Sequence, residues 1–545
     1  MRKKNYFLLA LASMAFTACV NDDMINADHE VVDNETAWIS LGVRKPTTRA
    51  LNNPNEHNGT ADEALINSVK ILFFNGHTDG SILTNEVDFA TAAVPEVTTA
   101  PKAFKVSKSA KALLVVVNPA NLPALTVGTT TYSAVNAVVT PTNGVADVVG
   151  GASLNSFMMT NAKGGLEPSV SGTGAPQNLT LYPDATTAQN NTLTLFVDRV
   201  VAKVRVQAAK TSDVATIGDV FWALNVKNKK YFPVSKRTKT FFNNSTPHDI
   251  YGLGSYRIDP NYDHSSLSWG SGTPAGYGTE YTYYTETNPP ASWLVANITI
   301  DGSDPDDNAP KVEYCLENTQ AELGNVHAYT THALLKTTFI PKAYQLPDLS
   351  TTDVQEADND WIAIKGGFYT YATLMEWIEA EMKNKYYNAD PDAYNTEVTD
   401  YFNDYIAAAL GNTKKVELPT KVQFDGSGKT YLEQAEDLKT KFEGLEADIK
   451  LKGAFSDGTV NYYSGAESYY KIMVKHDDSD AENNKLGEFG VVRNSVYDII
   501  VSKFNNPGYP TIPDPDPNTL DESESFLSLE IVVNPWTWYR QVEEL

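Results

Sequence analysis

Period-two alternation and short unbroken apolar runs organise most of this chain. In residues 68–75, Val69, Ile71 and Phe73 alternate with Lys70, Leu72 and Phe74. That pattern predicts a half-buried or fully buried strand. Residues 112–117 are continuously apolar and end at Asn118-Pro119, which reads as a buried strand stopped by a turn. Residues 192–207 read as one longer strand, with Leu195, Val197, Val200, Val204 and Val206 apolar and Arg199, Lys203 and Arg205 interspersed. Gly-, Thr-, Pro- and Asn-rich loops such as 168–178 separate these segments. Many short strands joined by such turns predict a sandwich or barrel. The composition shifts at residues 208–217, and further strands are expected at 221–226, 292–300, 329–340, 466–475 and 490–503. Two stretches, 370–387 and 431–450, instead repeat at helical spacing. In the second, Leu432, Ala435, Leu438, Phe442, Leu445 and Ile449 share one face. With the mixed stretch 390–410 between them, they read as helical insertions on a β scaffold.

The two ends carry the functional signals. Arg2, Lys3 and Lys4 precede a short apolar run at 6–16, too short to span a bilayer, and small residues then lead to Cys19. This is the pattern of a bacterial lipoprotein signal, with Cys19 cleaved and acylated. Residues 37–43 then alternate like a strand, with Ile39, Leu41 and Val43 on one side. They run directly into Lys45-Pro46-Thr47-Thr48-Arg49-Ala50, an exposed-looking stretch of the kind that proteases nick. A strand cut away there after folding would leave an open groove. At the other end, a proline-dense acidic stretch, 506–525, leads to an isolated strand in which Leu527, Leu529, Ile531 and Val533 share a face. Such a strand either packs back on its own domain or completes a sheet in another molecule.

Composition narrows the alternatives. The chain has 545 residues and a formal net charge of −25, which argues against nucleic acid and anionic membranes as partners. Of the two cysteines, Cys19 and Cys315, acylation of the first leaves Cys315 with no disulfide partner, a small buried hydrophobe. The His residues are scattered, and His327 and His332 stand five apart in a strand-like region. No His-Glu-x-x-His, Cys-x-x-Cys, phosphate loop or nucleophile elbow occurs. Carboxylates cluster at 301–307 and 477–480 without the spacing of a calcium loop, and read as acidic surface turns. Asn178, Asn244 and Asn297 head Asn-x-Ser/Thr triplets, which carry little weight in a bacterial chain. No catalytic residue, metal or cofactor is therefore expected, and an enzyme is disfavoured.

Several stretches taken together resemble the fimbrillin subunits of type V pili from Bacteroidetes-type bacteria. They are the Cys19 signal, TTRAL around Arg49-Ala50, INSVKILFFN, LLVVVNPANL, VDRVVAKVRV, YCLENT around Cys315, YYKIMVKH, GVVRNSVYDIIVSKF and LEIVVNPWTW, and they span nearly the whole chain. The resemblance implies a mainly β protein with two transthyretin-like β-sandwich domains and helical insertions in the second. It implies a signal peptide at 1–18, a propeptide with a removable strand at 19–49, domains at 50–212 and 213–505, a linker at 506–525 and a donor strand at 526–545. It also implies a shaft subunit of a surface fimbrium, its precursor held at the outer membrane by lipid. An Arg-specific protease would cut between Arg49 and Ala50, and a neighbour's Leu527, Leu529, Ile531 and Val533 would fill the opened groove. Identical subunits would then join head to tail beside accessory, anchor and tip subunits, serving adhesion to host or bacterial receptors and biofilm formation. The alternative is a monomeric surface lipoprotein that binds glycan or protein and keeps its Cys19 lipid.

Overall fold

The computed structural model describes residues 35–44, 57–376 and 460–537, with shorter interruptions inside the last two stretches. The first half lays down β1 (Thr36–Arg44), the two-residue β2 (His57–Asn58), β3 (Ser68–Phe74), β4 (Leu83–Ala90), β5 (Lys102–Ser107), β6 (Ala112–Val117), β7 (Met159–Asn161), β8 (Leu193–Arg199) and β9 (Val201–Ala208). The second half adds β10 (Ala215–Ile217), β11 (Phe221–Asn225), β12 (Leu294–Val295), β13 (Val312–Leu316), β14 (His332–Pro341), β15 (Glu467–Met473), β16 (Ser495–Phe504) and β17 (Leu527–Thr537). The protein is mainly β, as expected, and its described helices are single turns or little more.

Three sheets matter for function. The first has seven strands in the order β4-β3-β6-β7-β8-β1-β5. The second runs β13-β9-β16-β17-β2, and the third runs β10-β14-β11-β12 with β15 also on β14. Every residue of β6 is buried, as its unbroken apolar run requires, and in β3 Val69, Ile71 and Phe73 are buried with Leu72 and Phe74. One core gathers the first sheet with Tyr314, Leu316 and Val496 from the second. The other core lies between the second and third sheets: Ala202, Val204, Val206, Tyr497 and Ile499 meet Trp222, Leu335, Phe339 and Ile472. Cys315 sits in that core on β13, where burial pushes its thiol up to about 12.

The expected single strand over 192–207 is two strands in two different sheets. The chain bends at the buried Val200, whose N–H donates to Met158 O at 3.0 Å, and β9 then starts in the second sheet. The reason is polar. Arg199 is fully buried and its Nε donates to Glu63 O at 3.0 Å, while Lys203 Nζ sits 3.0 Å from Glu63 Oε1 and Arg205 forks onto Asp498 at 2.5 and 2.7 Å. The interspersed cations are thus interior partners for buried acids, not solvated positions. The expected strand at 292–300 reduces to β12, with 297–300 outside the described residues. Of the helical insertions, 370, 372–374 and 376 are described, all but 370 as helix; 390–410 and 431–450 lie outside the described residues, as do 301–307 and 477–480.

The proline-dense stretch before β17 does not stand off as a free tether. Tyr509 and Tyr469 exchange two backbone hydrogen bonds of 2.7 Å, and Tyr463 Oη donates to Gly508 O at 2.8 Å. Further along, His327 N–H donates to Thr519 O at 3.0 Å and Asp521 N–H to Asn325 O at 3.0 Å. Glycine is required at 508, because an added Cβ would come within 2.0 Å of Tyr469 O. Gly508→Val is therefore expected to cost about 1–3 kcal/mol as an overpacked contact. Limited proteolysis within 506–521 would detect the undocked stretch; unchanged resistance would contradict this account.

Candidate functional site

The site is a pair of strands at opposite ends of the chain, one enclosed and one nearly at an edge. β1 forms because its alternation suits a strand with one face on the core: Ile39 is 2% exposed, Leu41 0% and Val43 2%. Its neighbours lie on both sides. It runs antiparallel to β5, from Thr36↔Ser107 to Leu41↔Lys102, and parallel to β8, from Leu41↔Leu193 to Arg44↔Phe196. Beneath it, Ile39, Leu41 and Val43 join Phe104, Val106, Leu195 and Val197 in the first core.

The rest of β1 is held as well. On the edge away from β5, Trp38 and Tyr182 exchange two backbone hydrogen bonds of 2.8 Å, and on the face away from the core Ser40 Oγ lies 2.8 Å from Thr192 Oγ1. Between them stands the short helix Ala185–Asn190, capped by Asp184, whose side chain accepts from Thr187 N–H. Trp38 is half-buried, with Lys105 Nζ 5.3 Å from its ring centre. A strand held this way is a structural plug. Withdrawing it would separate β5 and β8 by two strand spacings, roughly 10 Å, and expose their facing backbone groups. Burying Ile39, Leu41 and Val43 contributes about 1.5–3 kcal/mol each, so the vacated slot would be strongly unfavourable in water.

β17 has the opposite character. It pairs antiparallel with β16 from Ser495↔Pro535 to Phe504↔Leu527, with a register shift between Val501 and Lys503. On its other side it has only β2, in the parallel pairs His57↔Trp536 and Asn58↔Thr537. Of the two fates open to this strand, the structure therefore has it on its own chain, with most of one edge bordered by no other described strand. β2 belongs to the segment that follows Arg49, so the arm beyond that residue touches the end of β17.

The structure gathers Ile39, Leu41 and Val43 at one buried position and places Leu527, Leu529, Ile531 and Val533 along β17. Cys19, Arg49 and Ala50 lie outside the described residues. His327 and His332 are buried, and burial with Lys471 nearby pulls them down to about 4 and about 3, so both are neutral at pH 7. Among the described residues, no group of three or more His, Cys, Asp and Glu is placed to hold a metal, and no helix is long and apolar enough to cross a membrane. Sequence reasoning missed the cover over β1, namely Tyr182, Thr192 and the Asp184-capped helix. The only signal was the Asp184-x-x-Thr187 capping pattern. It also missed Glu63, whose buried carboxylate takes Tyr314 Oη at 2.5 Å beside Lys203.

Residues 461–542 match the family model described as major fimbrial subunit protein type IV, fimbrillin, C-terminal. No curated protein sequence matches the chain. Among solved structures, the chain is similar to a fimbrilin (fimA) from Porphyromonas gingivalis, at 15% identity and a TM-score of 0.38 over 93% of this chain and 99% of that one. It is similar to the tip fimbrial protein Mfa3 of the same organism, at 9% identity and a TM-score of 0.33 over 92% and 100%. It is also similar to the fimbrial anchor protein Mfa2 of that organism, at 12% identity and a TM-score of 0.21 over 44% and 75%. The matched stretch contains β15, β16 and β17, and over those residues the chain is similar to the C-terminal region of fimbrillins.

Proposed function

We propose that this protein is a structural shaft subunit of a surface fimbrium and polymerises by exchanging β1 for the β17 of another copy. The chain is exported as a lipoprotein on Cys19 and cut between Arg49 and Ala50 by an Arg-specific protease. The cut releases β1 with the lipid anchor, and the slot between β5 and β8 takes up Leu527, Leu529, Ile531 and Val533 from a neighbour. Because donor and slot sit on different surfaces of one subunit, the contact is heterologous and does not close, so it propagates as a filament. Accessory, anchor and tip subunits complete the fimbrium, which serves adhesion to host or bacterial surfaces and biofilm formation. No step requires a catalytic residue of this chain.

The observation that carries this reading is the position of β1. It is paired on both edges, buried on its core face, and lies wholly on the N-terminal side of Arg49. The test is the N-terminal residue of the protein sheared from cells, read by mass spectrometry. Ala50 is expected in high-mass polymer, and an Arg49→Ala chain is expected to stay monomeric with an acylated Cys19. Acylated Cys19 in the mature wild-type protein would instead favour a monomeric lipoprotein that binds glycan or protein.

A further inference from the structure

We infer that Glu530 sets the register of the incoming strand by seating opposite Lys105 of the receiving subunit, in the place that Trp38 vacates. This rests on the strand-exchange reading above and specifies how the donor lies in the slot. If the apolar face of the donor replaces that of β1, Leu527, Leu529, Ile531 and Val533 fall on the parity of Ala37, Ile39, Leu41 and Val43. Glu530, the one charged residue in Leu527–Thr537, then falls on the parity of Trp38, Ser40 and Gly42. These three places differ sharply. Ser40 is 0% exposed beneath Thr192, and Gly42 is buried without a side chain. A carboxylate in either place would lose its water with no cation shown to meet it.

The Trp38 place is half-buried and lies directly across from the exposed Lys105, whose Nζ is already 5.3 Å from the Trp38 ring centre. An acid directly opposite a lysine on antiparallel strands is a favourable cross-strand pair. The attraction is modest because the pair is wet. What fixes the register is the cost of the alternatives. In this register Leu529, Ile531 and Val533 take the places of Ala37, Ile39 and Leu41. Val532 replaces Ser40, and Thr192 Oγ1 keeps its bond to Gln189 O at 3.0 Å. Pro535, which has no N–H to give, falls in the Val43 place, past the last β5 pair at Leu41↔Lys102. Sliding the donor so that Glu530 meets Thr36 would put Pro535 in the Leu41 place, where β1 pairs with both neighbours.

Cysteine pairs in the full chain, cut at Arg49 and mildly oxidised, test this. Glu530→Cys with Lys105→Cys is expected to give a ladder of disulfide-linked multimers on a denaturing gel. Glu530→Cys with Ala103→Cys, the β5 position opposite Ser40, is expected to give none. Buried Cys315 does not interfere. A ladder at 103 in place of 105 overturns the register while leaving strand exchange intact. No ladder in either pair, with no high-mass polymer from the cut wild-type chain, overturns strand exchange itself. Independently, Lys105→Glu is expected to slow assembly roughly tenfold, as an opposite-charge pair becomes a like-charge pair. Glu530→Lys in the same chain is expected to restore it. Unimpaired assembly of Lys105→Glu, or no recovery in the double variant, would overturn the proposal.

Discussion

A chain ending at Asp521 is expected to be secreted and cut at Arg49, yet to form no high-mass polymer. It retains the slot between β5 and β8 and the docked proline-dense stretch, but it has no strand to offer. Three apolar side chains, Leu529, Ile531 and Val533, entering a buried slot contribute about 1.5–3 kcal/mol each, alongside the main-chain bonds of a new central strand, so no other contact readily replaces them. The truncated chain should still accept a strand. A synthetic peptide of residues 526–537 is expected to bind the Arg49-cut chain and not the uncut one, in which β1 fills the slot. Size-exclusion chromatography and fluorescence anisotropy read the two halves of this prediction. Filaments from the truncated chain would exclude β17 as the donor. Equal binding to cut and uncut chains would mean that the peptide docks elsewhere, for instance on the uncovered edge of β16.

The second large effect concerns stability. Glu63→Ala is expected to cost about 3–5 kcal/mol, because it takes the carboxylate away from Lys203, 1% exposed, and Arg199, 0% exposed, and leaves those charges in the interior. Burial alone would raise the Glu63 carboxyl, but Lys203, the Tyr314 hydroxyl and Arg199 outweigh it and hold the group below its ordinary value of 4.5. A depressed acid contributes stability that is fully present above the unfolded value and is lost as pH falls through the folded one. The wild-type chain should therefore lose this contribution below about pH 4.5, and the Glu63→Ala chain should show a shallower decline there. Urea midpoints at pH 7 and pH 3.5 provide the comparison. Lys203→Met added to Glu63→Ala is expected to recover part of the loss, since it removes one stranded charge. A strictly additive double variant would show that the two residues are not coupled. Glu63 follows Arg49 in the chain, so under the proposed cleavage this cluster would anchor the segment that follows the cut.

Much of the β scaffold was legible because a strand's side-chain alternation is a local property. The buried run at 112–117, the alternation at 68–75 and the apolar face of 527–533 each declare a strand whatever lies beside them. The strand over 37–43 was marked locally too, by the alternation of Ile39, Leu41 and Val43. Which strands become neighbours is not local, and the tertiary structure alone decided it. Nothing in residues 37–43 states that β5 runs antiparallel on one side and β8 parallel on the other, since pairing depends on segments some 60 and 150 residues away. The same holds for the break at Val200. Arg199, Lys203 and Arg205 look like solvated positions in an amphipathic strand until Glu63 and Asp498 arrive from distant parts of the chain and make their burial affordable. The docking of the proline-dense stretch depends likewise on Tyr469 and on the segment near His327. Sequence determined which segments are strands and which strand carries a single charge. Tertiary structure decided which strand is enclosed and which lies near an edge, because hydrogen-bond partners and desolvation are set by whatever the fold brings alongside.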